Sequence, residues 1–316
     1  MTRLNRLTRL DELVFDVEER AMWTEGAGSK LVRVPDRRAI VNTGNGRIVG
    51  VVGRDYRLVT HRQALEWARE CCRVAFPQTR ESEWEVRGVD APATGGHCFI
   101  DLVHCTGALD FALVPGADRP EAHGPFVRVT NSYNGVRALS FDIGLHRKVC
   151  NNGLILPETL VEMRFQHRRG ELPETLDFEV HRERLARATA DFSALMATLR
   201  ATRVRREEAV SQVIDALQFR EPGEDDATET QWDDWREFEL IVQMKFILYA
   251  HELGENAYAL FNVITDLATR PPELPRQRRE RHTLQRLAGL WLAGFRRPEV
   301  PIDTGNPPDF RALQAA

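Results

Sequence analysis

The feature that most constrains this chain is a change in its apolar period near residue 170. Before that point apolar residues alternate in short runs cut by Gly, Pro and Asn. Beyond it they recur every three or four residues. Alternation places one face of a strand in a core, and a three-four spacing does the same for a helix. In RAIVNTGNGRIVGVV (38–52), two apolar runs flank Thr43-Gly44-Asn45-Gly46, residues that tolerate positive φ, so a hairpin is expected. Thr60 with Gln63 forms a capping box. Ala64, Leu65, Ala68, Cys72 and Ala75 then follow at helical spacing up to Pro77. EWEVRGVD, GGHCFIDLVHC and ALDFALV read as β runs, and PFVRVTNSY with VRALSFDI as a hairpin turning at Asn134-Gly135. In the second half, Leu185, Ala188, Phe192, Leu195 and Leu199 form one helical stripe. The expected fold is α+β, with an N-terminal twisted, largely antiparallel β-sheet, a packed helix, and a C-terminal helical region. The expected divisions are an amphipathic arm (1–37), a β-rich α+β core (38–170), a helical pair (171–220), an acidic loop (221–230) and a helical region with a basic last helix (231–316).

Composition narrows the setting. Apolar residues make up 42% of the chain and charged ones 28%, which are globular values. No apolar run approaches the roughly 18 residues of a membrane helix, and MTRLNRLTRLDELVF lacks a signal-peptide core. A cytoplasmic protein with no membrane partner is expected. The net charge of −4 argues against a uniformly basic coat. Charge is nevertheless segregated: residues 221–239 carry nine acids and one Arg, and residues 270–297 eight Arg and two Glu. Arg dominates the basic residues. A guanidinium suits phosphate contact and stacking, although genome composition produces the same bias.

The five cysteines are expected as reduced thiols. HCFIDLVHC (97–105) has two His-Cys pairs, but on a strand they would stand roughly 23 Å apart, beyond one ion. No metal and no cofactor is expected.

Residues 128–155, RVTNSYNGVRALSFDIGLHRKVCNNGLI, are the densest stretch. Arg128, Arg137, Arg147 and Lys148 crowd its hairpin, with Tyr133 read as an exposed aromatic near the tip. Such a hairpin suits single-stranded nucleic acid, with Arg on phosphate and Tyr stacked on a base for about 1–3 kcal/mol. The competing reading is a solvated hairpin whose charges protect its edge. Arg168 and Arg169, and Arg278 and Arg279 of the tail helix, extend the nucleic-acid candidates. That helix docks through Leu284, Leu287, Leu290, Trp291 and Phe295 in either reading. Catalysis has only weak candidates. Cys150 with His146 or His167 would need a base within hydrogen-bond reach, yet strand positions four apart stand about 13 Å apart. No phosphate loop, nucleophile elbow or His-Glu-x-x-His motif is present.

RAIVNTGNGRIVGVVGRDYRLVTHRQALEW, FVRVTNSYNGVRALSFDIGLHRKVCNNGLI, RFQHRR and YALFNVITDLATR, in that order, resemble the family catalogued as domain of unknown function 932, over roughly residues 38 to 297. The most specific piece comprises Asn131, Ser132, Gly135, Leu139, Phe141, Val149, Cys150, Asn152, Gly153 and Leu154. That family includes phage/plasmid-like proteins, so the resemblance implies a mobile-element setting and no particular activity. The leading expectation is a non-enzymatic protein binding nucleic acid, single-stranded DNA favoured, in recombination or replication of a mobile element, and homo-oligomerisation suits that role. The alternative is a protein-interaction module that modulates a host system through the acidic 221–239 segment and the apolar helices. A Cys-dependent enzyme comes third.

Overall fold

The structure, a computed structural model, describes residues 6–105, 123–147, 153–155, 163–170, 172, 176–223, 227–272, 274 and 279–294. The elements run β1 (Arg6–Leu7), α1 (Leu10–Leu13), β2 (Val17–Glu25), β3 (Leu31–Asn42), β4 (Ile48–Gly53), α2 (His61–Ala75), β5 (Trp84–Pro92), β6 (His97–His104), β7 (His123–Ser132), β8 (Leu139–Arg147), β9 (Gly153–Ile155) and β10 (Arg164–Phe165). They continue with α3 (Arg182–Ala201), α4 (Arg206–Leu217), α5 (Glu229–Leu253), α6 (Ala257–Thr269) and α7 (Arg281–Gly294). The α+β class, the antiparallel sheet and the helical second half agree with the sequence. The run ALDFALV lies outside the described residues.

Two compact units divide the chain. The first runs to residue 189, apart from 112–122 and 146–157; the second takes those segments and 190–316. In the first unit, hydrogen-bonded strands follow the order β1-β5-β6-β7-β8-β10, and β2-β3-β4 form a separate three-stranded sheet. Every pair with a defined register is antiparallel. The 43–47 turn closes as expected, with the Asn42 N–H donating to the Arg47 carbonyl and Gly46 at φ 70°. The Thr60 hydroxyl accepts the Gln63 N–H at 3.0 Å and starts α2. Ala64, Leu65, Ala68, Cys71 and Cys72 bury one face of α2, which packs on β6 and β7. β8 differs from a half-solvated hairpin strand. Leu139 through Leu145 are all buried, so Asp142 is buried as well as Phe141 and Ile143, and the Ser140 hydroxyl donates to it.

The arm expected over 1–37 is largely sheet. β1 joins the edge of β5, and β2 with β3 forms a ribbon that crosses the expected boundary at residue 37. β4 pairs β3 only over Arg37–Val41, so beyond a bulge at Ala21/Met22 the ribbon has two strands among the described residues.

In the second unit every residue of α6 from Ala257 to Ala268 is buried, with α4, α5 and α7 packed against it. Its one acid, Asp266, is paired by Lys245 at 2.6 Å and Arg270 at 2.8 Å. α7 docks through Leu284, Leu287 and Leu292, and Trp291 stacks on Phe261. The acidic loop expected over 221–230 is cut short, because α5 begins at Glu229. Thr228 caps α5, whose opening turns carry the acids from Glu229 to Glu239 while Trp235 and Phe238 face inward. α5 buries Val242, Phe246, Ala250 and Leu253 on the same side, yet its opposite side exposes Leu240, Met244, Ile247 and Leu248.

Candidate functional site

The Asn131–Gly135 turn is an internal junction. Tyr133 is fully buried. Its hydroxyl accepts the His61 N–H at 2.8 Å, satisfying one of the donors that the start of α2 leaves open. The Tyr133 ring stacks on His61 at 3.9 Å, with Phe15 tilted against it. The Tyr133 and Asn134 N–H groups both donate to the Gly96 carbonyl, and the Tyr56 hydroxyl donates to the Ser132 carbonyl. β4 approaches so closely at Gly50 that a Cβ there would lie 2.2 Å from the Tyr133 carbonyl oxygen. Gly135, at φ 72°, supplies the left-handed turn residue. The turn thus ties β4, the β5–β6 connection and the start of α2 together.

His61 is the centre of this junction. Its Nε2 lies 2.9 Å from the Gly95 carbonyl, which only accepts, so Nε2 carries the proton. Nδ1 is then the acceptor, for Asn131 Nδ2 at 3.0 Å and the Cys98 thiol at 3.3 Å. Asn131 Nδ2 also donates to the Val59 carbonyl, and Asn131 Oδ1 is buried with no partner among the described residues. Burial lowers the His61 pKa to about 4, against the opposing pull of the Gly95 carbonyl. Burial likewise pushes the Cys98 thiol up. Cysteine, histidine and asparagine meet here, but as a neutral, closed network. An activated thiolate needs the opposite shift and an open face.

The expected site residues divide accordingly. Tyr133 is not the exposed stacking residue read from the sequence, because it lies beneath Phe15 and against His61. Arg128 is not a phosphate contact either. It is 2% exposed, and its Nη2 donates to Asp101 at 2.6 Å. Burial alone would lower its pKa, but Asp101, Asp142 and Asp90 outweigh that and raise it. Arg137 is half-buried, with its guanidinium 5.7 Å from the Phe99 ring centre. His167 is buried, stacked on Tyr56 at 4.9 Å, and its Nδ1 donates to the Arg57 carbonyl at 3.1 Å. Burial lowers its pKa. His146 and Arg147 end β8, and their side chains lie outside the description, as do Lys148, Cys150 and Arg278. Arg279 is half-buried and donates to Gln218 at 2.9 Å; burial and nearby Arg220 lower its pKa. β6 runs unbroken, so His97 and His104 stand at its two ends.

Arg168 and Arg169 are exposed, and they lie at the base of the β2–β3 ribbon. Arg169 is 3.6 Å from Glu19 on β2, and Arg38 of β3 also pairs with Glu19 and donates to the Arg54 carbonyl. Beyond that base, Trp23 lies directly across from Arg33, with Glu25 and Leu31 on the same face. Trp23 is 58% exposed and Leu31 67%. Sequence reasoning missed this surface because Val17–Glu25 is too polar to read as a strand. An alternation of Met22 and Thr24 against Trp23 and Glu25 was its only signal.

The profile of one family, Domain of unknown function (DUF932), matches residues 48–291. The chain belongs to this family. The DUF932 match begins at β4, so it takes in the His61–Asn131–Tyr133 junction and α6 and leaves the ribbon before it. No curated protein and no solved structure matches the chain.

Proposed function

We propose that this DUF932 protein is a non-enzymatic nucleic-acid-binding protein, single-stranded DNA favoured, and that it contacts its ligand through the β2–β3 ribbon and the Arg168-Arg169 turn. The observation that carries this reading is the exposed Trp23 beside Arg33. A two-stranded ribbon is marginal on its own in water, and an exposed Trp is costly to keep there unless something covers it. Trp offers a flat face to any base, and Arg33 and Arg37 on the ribbon, with Arg168 and Arg169 at its base, offer phosphate contacts. The setting in recombination or replication of a phage or plasmid rests on the family resemblance alone. The exposed apolar side of α5 favours a second reading, a protein-interaction surface.

The test is fluorescence anisotropy with a labelled single-stranded oligonucleotide and its duplex, at low and near-physiological salt. Binding should favour the single strand and weaken steeply with salt as counterions are released. Trp23→Ala should weaken it about tenfold, the scale of one lost stacking contact, and Arg33→Ala should reduce the salt slope. Absence of binding at low salt, or binding indifferent to Trp23→Ala with Arg33→Ala, would refute the proposal.

A further inference from the structure

We infer that α5 is a self-association seam, in which two copies of this chain pair antiparallel about a two-fold axis at Met244. The outward side of a surface helix is ordinarily polar. On α5, that side exposes Leu240 (58%), Met244 (62%), Ile247 (46%) and Leu248 (67%) in succession. The order of residues along it identifies the occupant. Leu240 and Leu248 lie four residues either side of Met244. Glu237 and His251 lie seven either side. All of these positions are exposed.

A two-fold interface requires that if one residue meets another, the reverse contact also forms. Antiparallel pairing about Met244 does this with matched chemistry. Leu240 meets Leu248 of the second copy and Glu237 meets His251. Met244 meets itself on the axis. Parallel pairing would oppose Glu237 to Glu237 and His251 to His251. From Glu237 to His251 the seam is about 21 Å long at 1.5 Å per residue. Its apolar centre is on the order of a few hundred Å², below the roughly 800 Å² per partner of a standard interface. An interface of that size belongs to the weak, transient kind. None of this depends on nucleic-acid binding.

Sedimentation of the full chain from about 1 to about 200 μM tests the seam, since that range spans the affinities of a weak, transient pair. The wild type should pass from monomer to dimer. Met244→Glu, a change at an exposed position, should raise the midpoint at least tenfold with an unchanged circular dichroism spectrum. Glu237→Lys should weaken the dimer, since it faces His251 of the second copy, and adding His251→Glu should restore it. Mild oxidation should link Met244→Cys to itself, beyond any wild-type background, because the axis brings the two Cβ atoms within disulfide reach. Glu237→Cys should not self-link. A monomer at every concentration, a dimer indifferent to Met244→Glu, or self-linking at Glu237→Cys rather than Met244→Cys would overturn the inference.

Discussion

Lowering the pH from 7 to 5 should destabilise the first unit by about 2 kcal/mol, and His61 should be the main cause. In the unfolded chain a histidine titrates near 6.5. In the fold, burial holds His61 at about 4. Above pH 6.5 neither state binds the proton and stability is complete. As pH falls through 6.5, the unfolded chain takes up a proton that the folded chain refuses, so stability is lost progressively towards pH 4. Taking 6.5 and about 4 as the two values, the ratio of proton-bound states gives about 2 kcal/mol at pH 5. The structural reason is specific. Protonating Nδ1 would remove the acceptor that Asn131 and Cys98 both use, and would place a charge between Tyr133 and Phe15. His167, also lowered by burial, acts with the same sign. Urea unfolding followed by circular dichroism at pH 7, 6 and 5 measures the loss. Ring proton-carbon spectra identify the group, since the His61 signal should stay unshifted down to about pH 5. A stability that is flat from pH 7 to 5, or a His61 ring titrating near 6.5, would refute the reasoning.

Arg128→Ala should cost about 3 kcal/mol, because it leaves Asp101 without its buried partner. In thermal melts Arg128→Met should cost less than Arg128→Ala, since it restores packing, and neither should change nucleic-acid affinity in protein that remains folded. Of the four described cysteines, Cys105 should react first with an alkylating reagent. It is the one not fully buried, whereas Cys71, Cys72 and Cys98 are enclosed; burial raises the thiol pKa of all four, so access decides the order. Mass spectrometry of the native protein after brief alkylation reads this directly, and early labelling of Cys98 would reopen the thiol at His61 as a reactive group.

The expectations that succeeded depended on local physics, and those that failed depended on where the far side of a strand faces. The Thr60 cap, the 43–47 turn and the three-four spacing of α2 and α7 are set by residues a few positions apart, so sequence alone locates them. In the sequence Arg128 and Tyr133 look exposed, because a polar or amphipathic residue on a hairpin ordinarily faces water. That holds only when one side of the hairpin is covered. Here α2 packs on β7, and Asp101 on β6 stands opposite Arg128, so a charge and a phenol become core residues with dedicated partners. The same reasoning explains why the His61–Cys98–Asn131 contact was invisible. Its members lie 37 and 70 residues from His61, and nothing in the spacing of HCFIDLVHC distinguishes a thiol facing a histidine from one facing a valine. Dense polar motifs in a β-rich half therefore have two physical outcomes, a surface that binds or a junction that locks. In this chain NSYNG locks, and the exposed aromatic-Arg pair lies on a ribbon whose sequence looked like a polar arm. A search for function should therefore start from what the fold leaves uncovered: Trp23 with Arg33 on one unit, and Leu240 to Leu248 on the other.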